Sequence, residues 1–164
     1  MVGTEYMPTE RMKIFKIRDV VFGGAGSARA GEILKQTLDI TPYNEFNDTP
    51  DAYAFDIANR VGALLHDYHE AAEDKNERAC STYWLIAFGR HLYNIGSEYC
   101  ITEITGDFYS IGIGSSYALG ALDILCKIPG YKPKQVGYAA METSAKFTYG
   151  IRPPYVALWT TPLE

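Results

Sequence analysis

The chain has 164 residues, 47% hydrophobic and 21% charged, which suits one domain with a substantial core and argues against disorder. A net charge of −5 leaves no concentrated basic surface, which argues against nucleic acid and anionic membranes as partners. No stretch reaches the ~18 apolar residues of a membrane span, and Met1-Val2-Gly3-Thr4-Glu5 reads as neither a signal peptide nor a transit segment.

Lys13 to Phe22 predicts two short strands, because Ile14, Phe15 and Ile17 are strand formers and Val20-Val21-Phe22 resumes after an Arg18-Asp19 turn. Gly23-Gly24-Ala25-Gly26-Ser27 breaks the pattern. Ala30, Ile33, Leu34 and Leu38 then recur at helical spacing, so the glycine run feeds a helix N-terminus. Pro42 to Pro50 is a polar loop, with capping chemistry in Asn47, Asp48 and Thr49. From about Asp51, the stripe Ile57, Ala58, Val61, Leu64, Leu65 and Tyr68 predicts a long helix. Glu70 to Arg78 reads as its solvated end or as a loop.

Tyr83 to Phe88 is a continuous apolar run, as in a strand buried on both faces. Gly89-Arg90 turns it into a strand over His91 to Ile95, and Tyr99 to Ile104 and Phe108 to Ile113 predict two more, joined around Gly106-Asp107. Helical spacing returns from Ser115, with Ala118, Ala121, Leu122 and Leu125 on one stripe, and Ile128-Pro129-Gly130 ends it. Gln135 to Lys146 is a further helix, and Tyr155 to Trp159 closes as a strand after Pro153-Pro154. There is no internal repeat and no linker, so residues 1–164 form a single domain. Paired helices on either side of a block of strands predict an α+β fold in which helical layers cover stacked antiparallel sheets.

Three segments carry a resemblance to a known family. Lys13-Ile14-Phe15-Lys16-Ile17 resembles a strand bearing a catalytic lysine, and Gly23 to Ala28 resembles a glycine-rich turn before the first helix. Ile111-Gly112-Ile113-Gly114-Ser115-Ser116-Tyr117-Ala118 resembles a strand-to-helix glycine-serine turn. In this order, across Lys13 to Leu158, the chain resembles the proteasome-type N-terminal-nucleophile hydrolases, most closely the bacterial two-ring peptidases among them. The resemblance implies a four-layer αββα sandwich and a cytoplasmic, threonine-type peptidase acting on polypeptides. It also implies a homo-oligomeric ring, an ATP-dependent unfoldase as partner, and no cofactor.

The implied mechanism is nucleophilic. A threonine at the N-terminus attacks the peptide carbonyl while its own α-amine, which titrates near pH ~8, takes the hydroxyl proton. Lys13 matches the lysine that favours the neutral amine by adding positive charge, as a partly buried cation beside the nucleophile. Without the resemblance it is a strand-edge lysine that discourages edge pairing. Gly26 matches the glycine whose backbone N–H stabilises the oxyanion, a role compatible with a plain turn into a helix. Ser115 matches an accessory serine, and the competing reading is an N-cap for the following helix.

The chain also departs from the family. Twelve residues precede Lys13, interrupted by Pro8, too few for the family's opening hairpin with its nucleophile and aspartate. Thr4 after Gly3 mimics a Gly-Thr processing site, yet eight intervening residues at no more than ~3.6 Å each cannot form a hairpin and return to the lysine strand. Near Gly150 the family's aspartate and serine are replaced by Lys146 and Tyr149. The chain thus reads as an N-terminally truncated peptidase subunit or as an inactive assembly subunit of the same fold. An unrelated α+β ligand-binding domain is the third reading.

Other constellations are weaker. His66-Asp67-x-His69-Glu70 places two imidazoles on one helix face, but zinc needs a third ligand such as His91, so a solvated face is expected and no metal. Cys80, Cys100 and Cys126 include no CxxC pair and read as free thiols, at least two of them in apolar settings. Gly112-x-Gly114 lacks the third glycine of a nucleotide fingerprint. Thirteen tyrosines suit strand packing or subunit contacts.

Overall fold

The computed structural model describes residues 13–68, 71–74, 77–80 and 82–160, with the segment 71–80 described through its backbone. Thr4 and His69, and with them the Gly-Thr and paired-imidazole readings, lie outside the described residues. The element order is β1 (Ile14–Ile17), β2 (Val20–Ala25), α1 (Ala28–Thr37), α2 (Pro50–Asp67), β3 (Ala71–Asp74), β4 (Glu77–Cys80), β5 (Tyr83–Phe88), β6 (His91–Ile95), β7 (Ile101–Glu103), α3 (Ser115–Leu125) and α4 (Pro133–Phe147). One five-stranded antiparallel sheet runs β1-β2-β5-β6-β7, and β3-β4 form a separate hairpin. The α+β class expected from the sequence is the class observed.

Side-chain alternation gives the sheet an inner and an outer face. Phe15, Phe22, Trp84, Ile86, Phe88, Tyr93 and Ile95 point inward and are buried. Against them pack Ala30, Ile33 and Leu34 of α1 and Ala54, Ile57, Ala58, Val61 and Leu65 of α2, as their helical spacing predicts. Each large side chain so buried contributes about 1.5–3 kcal/mol, and the ring pairs Phe15–Phe22 (5.4 Å between centroids) and Phe88–Tyr93 (5.7 Å) add geometric fit.

Several expectations are corrected. Within the segment expected to be a solvated helix end or loop, Ala71–Asp74 instead pairs antiparallel with Glu77–Cys80, register Ala71↔Cys80. The glycine run does not break β2 at Gly23, because Gly23, Gly24 and Ala25 pair with Leu85, Trp84 and Tyr83, and the break comes at Gly26. β5 is buried on one face only, with Tyr83 47% exposed and Leu85 and Ala87 half-buried. Residues 108–113 and 155–159 run without regular structure. Strand propensity there finds no ladder partner among the described residues, and an unpaired strand is not stable by itself.

These two segments nevertheless reach the outer side of the sheet. A Cβ built on Gly112 would stand 3.4 Å from that of Ala25. The Trp159 carbonyl accepts from Lys16 Nζ at 3.5 Å, and the Thr160 hydroxyl donates to the Gly89 carbonyl at 3.0 Å. α3 and α4 pack on one another, with Ala118 of one and Val136, Ala140 and Ser144 of the other buried. Cys100 and Cys126 are both exposed, against the expectation that at least two of the three cysteines sit in apolar settings, and the Cys80 side chain lies outside the description. No helix among the described residues is long and apolar enough to cross a membrane.

Candidate active site

The β1-β2 ladder extends one residue beyond β1, because the Gly24 N–H donates to the Lys13 carbonyl at 2.8 Å. This places Lys13 level with the end of β2, where the chain turns into α1. Alternation puts the Lys13 side chain on the same side as that of Phe15. Gly26 makes the turn with φ 136°, a conformation that a side chain would strain. Ser27 then caps α1, its hydroxyl accepting the Ala30 N–H at 3.2 Å.

Lys13 and Gly26 line one cleft, together with Gly24, Ser27 and Glu32, over a floor of Phe15 and Trp84. Two sequence-predicted site residues are thereby brought together at the N-terminal end of α1, where free backbone N–H groups favour negative charge. Lys13 is exposed rather than partly buried as expected, because it precedes the first strand and only its backbone joins the ladder.

Ser115 is not among the residues lining this cleft. Nor is it an N-cap: Gly114 takes that position, no side chain caps α3, and the Ser115 N–H donates to the Gly112 carbonyl at 3.0 Å. It follows by three residues Gly112, where an added Cβ would stand 3.4 Å from that of Ala25. Lys146 lies in the last turn of α4, and Tyr149 is 89% exposed ahead of Gly150 (φ 96°).

Three supporting residues escape sequence reasoning. Thr82, 1% exposed, accepts the Ser27 N–H on its hydroxyl at 3.0 Å and so holds the glycine turn. Ser144, also 1% exposed, reaches the Gly114 carbonyl at 3.2 Å and the Ala140 carbonyl at 2.9 Å, tying α4 to the turn before Ser115. Trp84 closes on Gly24. A lone buried polar residue gives no sequence signal; only the run Tyr83 to Phe88 pointed to Trp84.

No group of three or more His, Cys, Asp or Glu among the described residues could hold a metal ion. His91 bonds Glu103 instead (Nδ1 to Oε1, 3.1 Å), and His66 is exposed beside Asp67, which agrees with a solvated face there.

With this geometry in hand, the comparisons are informative. No protein-family model and no curated protein sequence matches the chain. Among solved structures, BPH of Thiobacillus denitrificans matches with TM-score 0.72 and 25% identity, covering 87% of this chain and 75% of that one. The same protein in complex with epoxomicin matches with TM-score 0.69. HslV of Trypanosoma brucei matches with TM-score 0.58 and 20% identity, over 84% of this chain and 74% of that one. The chain has the proteasome-type N-terminal-nucleophile hydrolase fold. Anbu, an ancestral β-subunit from Yersinia bercovieri, shares this proteasome-type fold at TM-score 0.57 and 14% identity, covering 88% of this chain and 66% of that one. The unrelated-domain reading is thereby set aside.

Proposed function

We propose that this chain is a subunit of a proteasome-like, threonine-type peptidase that cleaves peptide bonds within a homo-oligomeric ring. The supporting observation is that Lys13 and Gly26, placed by resemblance beside the nucleophile and the oxyanion, line one cleft in a proteasome-type fold. The nucleophile itself lies outside the described residues.

In this reading an N-terminal hydroxyl attacks the substrate carbonyl carbon, and the hydroxyl proton passes to the α-amine. Positive charge at Lys13 favours the neutral amine and the developing alkoxide. The Gly26 N–H donates to the oxyanion as the C–O bond forms. The tetrahedral species then expels the amine product, which takes the proton, and water hydrolyses the remaining ester. Ser115 serves as the accessory serine that the resemblance places near the nucleophile. The subunit works in the cytoplasm, and an ATP-dependent unfoldase supplies unfolded polypeptide.

The test is hydrolysis of fluorogenic peptides by the protein purified from its native source, with its N-terminal residue established by intact mass. Cleavage inhibited by epoxomicin and abolished in Lys13→Ala is the expected result. An N-terminus without Thr, Ser or Cys, together with no cleavage, would falsify the peptidase reading.

One observation favours a second reading, an inactive subunit kept for assembly. Lys146 and the exposed Tyr149 stand where the family has an aspartate and a serine, which weakens the expected support for the N-terminal amine. A purely monomeric species in native mass spectrometry would count against this reading and against the ring.

A further inference from the structure

The five-stranded sheet ends at β7, and the register there shows which backbone groups the edge leaves open. The Ile104 N–H donates to the Leu92 carbonyl at 2.8 Å, and the Gly96 N–H donates to the Cys100 carbonyl at 2.9 Å. Hydrogen-bonded pairs alternate along an antiparallel ladder, so Asn94 and Thr102 form the bonded pair between these two. Ile101 and Glu103 therefore turn their N–H and C=O groups away from β6. No strand among the described residues takes them up.

The side chains of the same two residues lie on the inner face, opposite Ile95 and Tyr93. They line an open groove of about 560 Å³ between β7 and the start of α2, together with Asp51, Ala52, Phe55 and Tyr93. Phe55 is 57% exposed, an apolar surface with nothing over it among the described residues. Tyr93 is the cross-strand partner of Glu103, and its hydroxyl donates to Asp51 at 2.6 Å, so two carboxylates gather about one phenol. Neither Lys nor Arg lines the groove.

Open backbone groups beside an apolar surface and unbalanced negative charge make a template for an added strand. In strand addition the main-chain bonds supply affinity, and alternate side chains supply specificity. Incoming residues opposite Ile101 and Glu103 are two apart and fall on the groove side. Phe55, Ala52 and Ile101 suit an apolar side chain there, while Asp51 and Glu103 suit Lys or Arg. The charge of Glu103 also repels acidic segments, which keeps this edge from pairing indiscriminately.

We propose that the β7 edge and its groove bind an extended segment of another protein, added as a strand, with an apolar and a basic side chain two residues apart. Binding of this kind needs no peptidase activity.

The probe is the fluorescein-labelled, C-terminally amidated peptide Thr-Leu-Thr-Arg-Thr-Leu-Thr, which offers that pair in either strand direction. It is titrated into the full chain by fluorescence anisotropy, with amide exchange recorded alongside. Exchange at Ile101 and Glu103 should slow on binding, while Thr102, already bonded to β6, should not change. Glu in place of Arg in the peptide should weaken binding by about 5-fold or more. Phe55→Ala should also weaken it by about 5-fold or more. Glu103→Lys should reverse the preference, so that the Glu peptide binds better than the Arg peptide. Both substituted side chains are exposed, and circular dichroism checks that each variant folds.

No binding at millimolar peptide, or equal binding of the Arg and Glu peptides, overturns the proposal. Binding undiminished by N-methylation of the peptide amides shows capture of a side chain alone and overturns strand addition. Ile101 and Glu103 amides already protected in an unliganded oligomer, seen by native mass spectrometry, give the edge to a second copy of this chain and overturn it too.

Discussion

The indole of Trp84 lies so close to Gly24 that a Cβ at residue 24 would stand 2.6 Å from its Cζ3. The two residues are cross-strand partners in the β2-β5 ladder, so strand pairing fixes the approach. Because Trp84 is buried beneath α1 and α2, the ring has little freedom to yield. Gly24→Ala should therefore destabilise the protein by about 1–3 kcal/mol, as overpacking does. Chemical denaturation measures this, and a loss under 0.5 kcal/mol would show that the indole relaxes freely.

Thr82 holds the turn that carries Gly26. Thr82→Val keeps the shape but removes the hydroxyl that accepts the Ser27 N–H, and loss of this part-buried hydrogen bond should cost about 0.5–1.5 kcal/mol. Amide exchange at Ser27 should accelerate while exchange in α2 stays slow, and Thr82→Ser should restore protection. Unchanged exchange at Ser27 would mean that another group holds the turn.

Ser144→Ala removes the hydroxyl that bridges α4 to the Gly114 carbonyl. Loss of one such hydrogen bond costs about 0.5–1.5 kcal/mol. The loosening should be confined to α3 and the Gly114–Ser115 turn, visible as local exchange with little change in the five-stranded sheet. Equal acceleration in β5 would show that the two regions unfold together.

Tyr53 and Tyr93 both ionise well above their ordinary value near 10. Burial is the first cause in each; neighbouring carboxylates raise Tyr53 further, and the Tyr93 hydrogen bond to Asp51 (2.6 Å) raises Tyr93. A raised folded pKa means that the protonated phenols stabilise the fold. This contribution is complete below pH ~10 and is lost as pH climbs beyond it. Ultraviolet titration should show these two phenolates appearing only with alkaline unfolding, and Tyr93→Phe should move that unfolding to higher pH by removing one such group. Normal titration of all tyrosines in the folded protein would contradict the burial assigned to them.

Much of this architecture was legible in local patterns. The Ala30, Ile33, Leu34 stripe and the Ile57, Ala58, Val61, Leu65 stripe each mark a helix face, and both faces are buried as expected. The run Tyr83 to Phe88, the two-residue turn Gly89-Arg90 and the strand from His91 to Ile95 also match the observed hairpin. The hairpin at residues 71–80 was hidden because Glu-Ala-Ala-Glu-Asp is helix-like in composition, and antiparallel pairing overrides that preference. Phe108 to Ile113 and Tyr155 to Trp159 failed as strands for the converse reason: strand-like residues need a ladder.

The candidate site divides in the same way. Lys13, Gly26 and Ser115 were singled out through the family resemblance, which is carried by three local segments in order, because a turn into a helix writes glycine and serine into the local sequence. That Lys13 and Gly26 share a cleft, that Ser115 is not among its lining residues, and that Trp84 lies at its floor were decided by the tertiary structure. Thr82 reaches Ser27 from 55 residues away through the β2-β5 pairing. Local sequence determines which segments can be helix, strand or turn, since backbone sterics and side-chain periodicity act over a few residues. Only closure of the sheet decides which side chains meet, since those contacts depend on register between segments far apart in the chain.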